Sequence, residues 1–245
     1  MHVLGVDLAT EPKGTVACWL KFAGGHVEVE LVDERLDDAT LEALLASADR
    51  AAIDSPFGWP EPFVAAITRW RNEGSFPDGL RKPLRLRATD LYVEERALTP
   101  FSVSADKIGA LAMRCSLLLT RLAEREGTPL DRVDGKVIEC YPAAALYRFG
   151  FRRAELKGAK TDADVRLRLL DAILARAQWL QLDEAVRLRL AHIGDAFDAF
   201  LAALVARAAG LRLTDQPPQE MAALAALEGW IHLPVQGALP QLGDK

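Results

Sequence analysis

The first 32 residues have apolar positions spaced as in short β-strands. Residues 3–9 form an apolar run that contains a single acid, Asp7, and this run predicts a buried strand. Residues 15–22 are rich in β-forming side chains, and residues 27–32 alternate between apolar and acidic side chains. A Gly-Gly pair between these two runs is typical of a hairpin turn. The pattern therefore predicts three strands joined by short connections.

Farther along the chain, helical spacing alternates with two more short strands. The strands are predicted over residues 50–54 and 136–140, and the first of them ends in an acid. Helices are predicted over residues 37–47, 63–72, 104–126, 142–149, 161–179 and 183–209, and a loop over residues 74–89. This order predicts an α/β domain with a mixed five-stranded sheet, in which the hairpin is antiparallel and the later strands are parallel.

The segment between the fourth and fifth predicted strands has no strand signal of its own. Residues 60–128 are therefore interpreted as a helical insertion within a single domain that spans residues 1–245. A chain of 26.8 kDa buries about 70% of its unfolded surface, so one full core is expected. Half of the residues are hydrophobic and 27% are charged, a composition that excludes disordered and collagen-like chains.

Charge and cysteine content narrow the class of protein further. The net charge of −5 excludes a general basic coat for nucleic acid, but it leaves room for a local cluster of carboxylates around a metal ion. The three cysteines are far apart and show no CxxC spacing, which argues against a zinc cage and favours a reducing compartment. The longest apolar run covers residues 199–206, too short for a membrane span. A cytoplasmic location without membrane contact is expected.

Acids stand at the ends of three predicted strands: Asp7, Asp54 and Glu139. The carboxyl ends of parallel strands share one edge of a sheet, which is where ligands bind in open α/β proteins. Three carboxylates at that edge repel one another unless a cation lies between them, and a divalent cation with oxygen ligands is the simplest choice. The alternative is that each acid only caps the helix that follows its strand.

A second acidic group lies in the predicted helix over residues 183–209. His192, Asp195 and Asp198 are three residues apart, so each is rotated by about 60° from the previous one and all three share a stripe. Small residues such as Ala199 and Ala203 favour close packing of this helix against a sheet. A charged stripe on a closely packed helix indicates a cation or water beside it, and a solvated helix face is the alternative.

Seven stretches in this order resemble a known family. They are GVDLA (5–9), IDSPFG (53–58), RATD (87–90), IECYP (138–142), KGAK (157–160), HIGDAFDA (192–199) and EGWI (228–231). The chain resembles the family called domain of unknown function 429, described as a predicted nuclease, and more broadly a ribonuclease H-like fold. No single stretch is specific, whereas the ordered set spans nearly the whole chain.

The resemblance implies a metal site. It makes Asp7 the ligand from the first strand, and Asp54 takes the place of the acid on the fourth strand. Either Asp195 or Asp198 supplies the ligand from the late helix, and Glu139 is a further ligand that not every branch of the fold requires. Two Mg²⁺ or Mn²⁺ ions about 4 Å apart would orient a water and stabilise the leaving oxygen in phosphodiester hydrolysis. His192 or Asp198 would help to deprotonate that water.

Basic side chains are the candidates for binding a nucleic-acid backbone. Arg81, Lys82, Arg85 and Arg87 fall within seven positions, and Lys157 and Lys160 follow later in the chain. Lys107 is a further candidate, and Asp90 is added because it ends the RATD stretch. For most of these residues the alternative is ordinary surface charge. The complete predicted substrate-binding set is Arg87, Asp90, Lys107, Lys157 and Lys160.

Three functions remain open from the sequence. The first is a metal-dependent nuclease that acts on DNA or RNA. The second is a non-catalytic protein on the same fold that binds a nucleotide, a nucleic acid or a protein, and the mild acidity and the lack of a broad basic face suit this function. The third is a phosphotransferase of the sugar-kinase and actin type, but that architecture needs about twice this length and a glycine-rich adenosine loop. The apolar helices and tail also leave a homodimer open.

Overall fold

A mixed five-stranded sheet forms the centre of the protein. The computed structural model describes residues 1–32, 36–76, 81–104 and 106–243, and the side chains of Arg81, Asp106 and Lys107 lie outside the described residues. The strands are β1 (His2–Asp7), β2 (Val16–Ala23), β3 (His26–Val32), β4 (Arg50–Asp54) and β5 (Val137–Glu139). Their order in the sheet is β3-β2-β1-β4-β5, which confirms the predicted five strands.

The direction of each strand also agrees with the prediction. β2 pairs with β3 and with β1 in antiparallel fashion, whereas β1, β4 and β5 are parallel to one another. The hairpin closes where Ala23 pairs with His26. Gly24 and Gly25 between them have φ values of 59° and 83°, a left-handed conformation that glycine adopts at little cost.

Helices cover both faces of the sheet. In chain order they are α1 (Asp38–Ser47), α2 (Glu61–Glu73), α3 (Arg81–Arg85), α4 (Ala88–Arg96), α5 (Asp106–Glu126), α6 (Pro142–Arg148), α7 (Arg153–Leu156), α8 (Ala163–Arg176), α9 (Glu184–His192), α10 (Gly194–Gly210) and α11 (Ala222–Glu228). The helices α2 to α5 lie between β4 and β5, within the predicted insertion. The predicted loop over residues 74–89 contains α3 and the start of α4. Among the described residues, no helix has the length and apolarity needed to cross a membrane.

The prediction of a single helix over residues 183–209 is wrong, because this segment forms two helices. Ile193 separates α9 from α10 with an extended backbone, φ −109° and ψ 106°. Ile193 is β-branched and Gly194 is a poor helix former, so this pair is a weak point in a helix. Gly194 also lies against the backbone of Lys160, where an added Cβ would be 3.0 Å from the carbonyl oxygen.

Helix α10 packs against the sheet at unusually short range. An added Cβ at Gly5 in β1 would lie 2.1 Å from the carbonyl oxygen of Ala199 and 2.1 Å from the amide nitrogen of Ala203. The predicted role of the small residues in α10 is confirmed, because larger side chains at this crossing would separate the helix from the strand. On the opposite face, leucines of α1 and α5 pack against Leu4, Val6 and Ile53.

Candidate functional site

Two carboxylates lie side by side at the end of the parallel strands. Asp7 of β1 and Asp54 of β4 are register partners. Neighbouring strands are about 4.8 Å apart, so partners in register project from the same face of the sheet. Helix α10 covers this face and brings Asp195 in its first turn and Asp198 one turn later. These four acids and Glu139 all line one cavity of about 680 Å³, so the structure brings the predicted acidic set to one cavity.

Burial and nearby negative charges raise the pKa of three of these carboxylates above the usual range. The pKa of Asp7 is raised to about 8 by burial and by the negative charges of Asp198 and Asp195. Burial also raises the pKa of Asp54 well above its usual range, and the charges of Asp7 and Asp198 add to the effect. The pKa of Asp198 is raised to about 6, mainly by burial. These raised pKa values indicate that the acidic group has too little positive charge beside it to balance its carboxylates.

Lys160 is a cation at the edge of this acidic group. Its charge lowers the pKa of Asp7, Asp54 and Asp198, which opposes the effect of burial, and the residue lines the cavity. Its loop is fixed by the buried guanidinium of Arg166, which donates 2.7 Å to the carbonyl of Ala159. The same side chain donates to two carbonyls at the end of α9. The predicted residue Lys160 is therefore positioned where an anionic substrate would meet the carboxylates.

Glu139 differs from the other predicted ligands in its surroundings. It is the register partner of Ile53, the residue before Asp54, so its side chain leaves the opposite face of the sheet. There its two oxygens accept hydrogen bonds from Arg87 at 2.7 and 2.8 Å, and one of them also accepts from the amide of Phe57 at 2.9 Å. Both oxygens are engaged by a buried cation, and the role of Glu139 as a metal ligand stays a prediction.

Arg87 and Asp90, predicted to bind substrate, belong to the same buried network. Asp90 is fully buried and accepts hydrogen bonds from the Arg87 backbone and guanidinium at 2.8, 2.9 and 3.1 Å. Arg87 is 2% exposed, although it contributes to the cavity wall. A guanidinium that is shared between two carboxylates has little capacity left for a phosphate. We interpret this pair as structural rather than as a contact for substrate.

The remaining predicted site residues do not join the acidic group. His192 is exposed at the end of α9, and the break at Ile193 removes it from the stripe that it was predicted to share with Asp195 and Asp198. Lys157 is exposed and, within the described residues, is not part of the cavity lining. The side chain of Lys107 lies outside the described residues, so its predicted role stays a prediction.

Sequence reasoning missed three residues of this region. Tyr141 lines the cavity, and its pKa is raised by burial and by the charges of Asp54 and Asp198. Phe101 also lines the cavity and is 60% exposed. Glu228 is buried and accepts from the backbone amides at residues 61 and 88, which ties α2 to α4. Tyr141 and Glu228 fall within the IECYP and EGWI stretches, whereas a single phenylalanine in a loop carries no sequence signal.

Carboxylate oxygens are suitable ligands for a hard divalent cation, but the described carboxylates are not arranged as a metal site. Within the described ranges, no group of three or more histidine, cysteine, aspartate and glutamate side chains has a geometry that could hold a metal ion. The donor chemistry and the raised pKa values of Asp7, Asp54 and Asp198 do fit such an ion, because bound positive charge would relieve their repulsion. Metal binding therefore stays a prediction.

The fold and the position of the acids indicate a class of protein. A mixed sheet in the order β3-β2-β1-β4-β5, flanked by helices, is consistent with a ribonuclease H-like arrangement. The chain belongs to the family described as Protein of unknown function (DUF429), whose model matches residues 5–222. No curated protein and no solved structure matches the chain.

Proposed function

We propose that this protein is a metal-dependent nuclease that hydrolyses phosphodiester bonds with Mg²⁺ or Mn²⁺. The observation that carries the proposal is the meeting of Asp7, Asp54 and Asp198 at the carboxyl ends of parallel strands, inside one cavity. Burial and mutual repulsion raise the pKa of all three. Such a group costs free energy unless positive charge joins it, and perturbed carboxylates in a cleft are typical of functional sites.

The residues that would hold the ions differ at two positions from the predicted metal ligands, which are Asp7, Asp54, Glu139 and Asp195. Asp7 and Asp54 keep their proposed roles, and α10 contributes Asp198, with Asp195 exposed at the edge of the cavity. Glu139 is left out because Arg87 occupies both of its oxygens. When bound, divalent ions would activate a water and stabilise the leaving oxygen.

The chain itself supplies the groups that orient the substrate. Lys160 would donate a hydrogen bond to a phosphate oxygen, because it faces the cavity beside the carboxylates. The hydroxyl of Tyr141 lies on the same lining and would donate to a second oxygen. Asp7, whose pKa is about 8 without the ions, would release its proton when a cation binds, because a carboxylate that holds a metal ion must be deprotonated.

The test combines metal binding with cleavage. We expect calorimetry to show Mg²⁺ or Mn²⁺ binding to the wild type, and a panel of DNA and RNA substrates to be cleaved only when the ion is present. Asp7→Asn should lose both properties and keep its fold, whereas Glu124→Gln, which changes an exposed carboxylate on α5, should lose neither. Normal metal-dependent cleavage by Asp7→Asn would refute the proposed function.

One observation favours a second candidate, a binding protein without catalysis. The described carboxylates are not arranged as a group of three that could hold a metal ion, and Lys160 already supplies one positive charge beside them. On this alternative the cavity binds a nucleotide or nucleic acid without turnover. Binding that is independent of divalent cations, with no cleavage of any substrate in the panel, would establish the alternative in place of the nuclease.

A further inference from the structure

The cavity extends well beyond the carboxylates. Its volume of about 680 Å³ lies within the range of sites that enclose a whole small molecule, and a phosphate group with two ions would fill only part of it. One wall is acidic, whereas part of the remaining wall is apolar and is formed by Pro100, Phe101, Ile108 and Leu111. A cavity with these two walls suits a ligand that joins an anionic group to a flat apolar group.

Phe101 is the aromatic side chain of the apolar wall. It lies between α4 and α5, lines the cavity and is 60% exposed. Aromatic side chains in nucleic-acid channels stack on successive bases without strong sequence preference, because every base has a π-face. The position of Phe101 in the acidic cavity therefore suits a nucleobase whose neighbouring phosphate lies near Lys160.

A second hollow continues from this wall. It has a volume of about 380 Å³ and shares Pro100 with the main cavity. Its remaining lining residues are Lys82, Arg85, Leu86, Glu94 and Thr99. Glu94 forms an ion pair with Lys82 at 2.5 Å and accepts a hydrogen bond from Thr99 at 3.4 Å. The lining thus contains two cations, Lys82 and Arg85, and one acid, Glu94. The described lining residues of the hollow therefore have a net positive charge, whereas those of the main cavity have a net negative one.

We propose that a single nucleic-acid strand runs from the acidic wall, across Pro100 and Phe101, into the hollow that contains Lys82 and Arg85. The phosphate to be cleaved would lie at the carboxylates, the neighbouring base would stack on Phe101, and the next phosphates would meet the two cations. A base inside a duplex is already stacked on both faces, so this path selects a single strand or an unpaired end. The inference rests on the proposed nuclease function and specifies its substrate.

The first part of the test isolates the base. Fluorescence anisotropy would measure binding of a labelled 12-nucleotide single strand, with Ca²⁺ in place of Mg²⁺, beside the same strand lacking its bases. We expect Phe101→Ala to weaken binding of the intact strand by about tenfold and to leave the baseless strand unchanged. Phe101→Trp should retain the affinity. Met113→Ala, which removes an apolar side chain of α5 that is 65% exposed, is the matched control.

The second part isolates the phosphates. The double variant Lys82→Ala and Arg85→Ala should lower the slope of log affinity against log salt by about 1.4, since each phosphate contact with a single strand contributes about 0.7. Arg152→Ala, at a side chain that is 84% exposed and outside both hollows, should leave the slope unchanged. A dinucleotide, whose single phosphate would lie at the carboxylates, has no further phosphate to place in the hollow and should bind the double variant and the wild type equally.

The outcomes separate this inference from the function on which it rests. Equal binding of intact and baseless strands, tighter binding of a duplex than of a single strand, or an unchanged salt slope in the double variant would each overturn the strand path. Metal-dependent cleavage could still be present in those cases, and the nuclease proposal would then stand. Conversely, binding that depends on Phe101 without any cleavage would support the strand path and remove the nuclease.

Discussion

Replacing Asp7 by asparagine should stabilise the metal-free protein at alkaline pH. The pKa of Asp7 is raised from 3.8 to about 8, by burial and by the charges of Asp198 and Asp195. Between these two values the folded protein keeps a proton that the unfolded chain has released, so the free energy of unfolding falls as the pH rises. Asparagine cannot ionise, and the variant should lose this part of the pH dependence.

The size of the effect follows from the same pKa shift. One pKa unit corresponds to about 1.4 kcal/mol, so the full shift sets an upper limit of about 6 kcal/mol above pH 8. The gain should be smaller, about 1–3 kcal/mol, because the asparagine amide needs hydrogen-bond partners of its own and Asp54 and Asp198 then ionise more readily. For a chain of this length, that gain raises the melting temperature by about 3–9 °C.

Thermal unfolding between pH 5 and pH 9, with and without Mg²⁺, measures this prediction. Without the metal, the melting temperature of the wild type should fall with rising pH more steeply than that of Asp7→Asn. Mg²⁺ at about one hundred times its dissociation constant should stabilise the wild type by about 3 kcal/mol and the variant much less. Glu124→Gln serves as the control. If Asp7→Asn and the wild type show parallel pH profiles, the reasoning about a strained carboxylate is wrong.

Three further substitutions test separate parts of the structure. Gly5→Ala should destabilise the fold by at least about 3 kcal/mol, because its methyl group would lie 2.1 Å from the carbonyl oxygen of Ala199; an unchanged urea midpoint would contradict the close packing. Glu139→Gln should cost about 3 kcal/mol, because it weakens the pairing of the buried cation Arg87, and chemical denaturation measures that loss. His192→Ala should leave any metal-dependent cleavage within about twofold of the wild type, since His192 is exposed outside the cavity; a tenfold loss would restore its catalytic role.

The strands and the first two acids could be predicted from sequence because their signals are local. A glycine pair between two β-rich runs defines a hairpin whatever surrounds it. In an α/β sheet, an acid at the end of an apolar strand, such as Asp7 or Asp54, is expected at the carboxyl edge of the sheet. The small residues of α10 likewise predicted close packing, which the approach of Ala199 to the sheet confirms.

The surroundings of Glu139 and His192 depend on information that is not local. Glu139 ends its strand as Asp54 does, but the register of β5 is shifted by one residue, so its side chain leaves the other face of the sheet. Its partner Arg87 lies 52 residues earlier in the chain, and no periodicity joins the two. His192 depended on one helix continuing through Ile193, and a single extended residue moved it out of the acidic group.

The face of the sheet that α10 covers carries both core packing and the proposed chemistry. Gly5 and Asp7 are two residues apart on β1, so they share a face, and the close approach of α10 at Gly5 sets the height of Asp198 above the strand. Displacing the helix there would disturb both the core and the acidic cavity. The Arg87–Glu139 pair acts from the opposite face, where it joins α4 to β5. Metal affinity should therefore be lost in the part of the Gly5→Ala protein that still folds. The folded Glu139→Gln protein should retain its metal affinity.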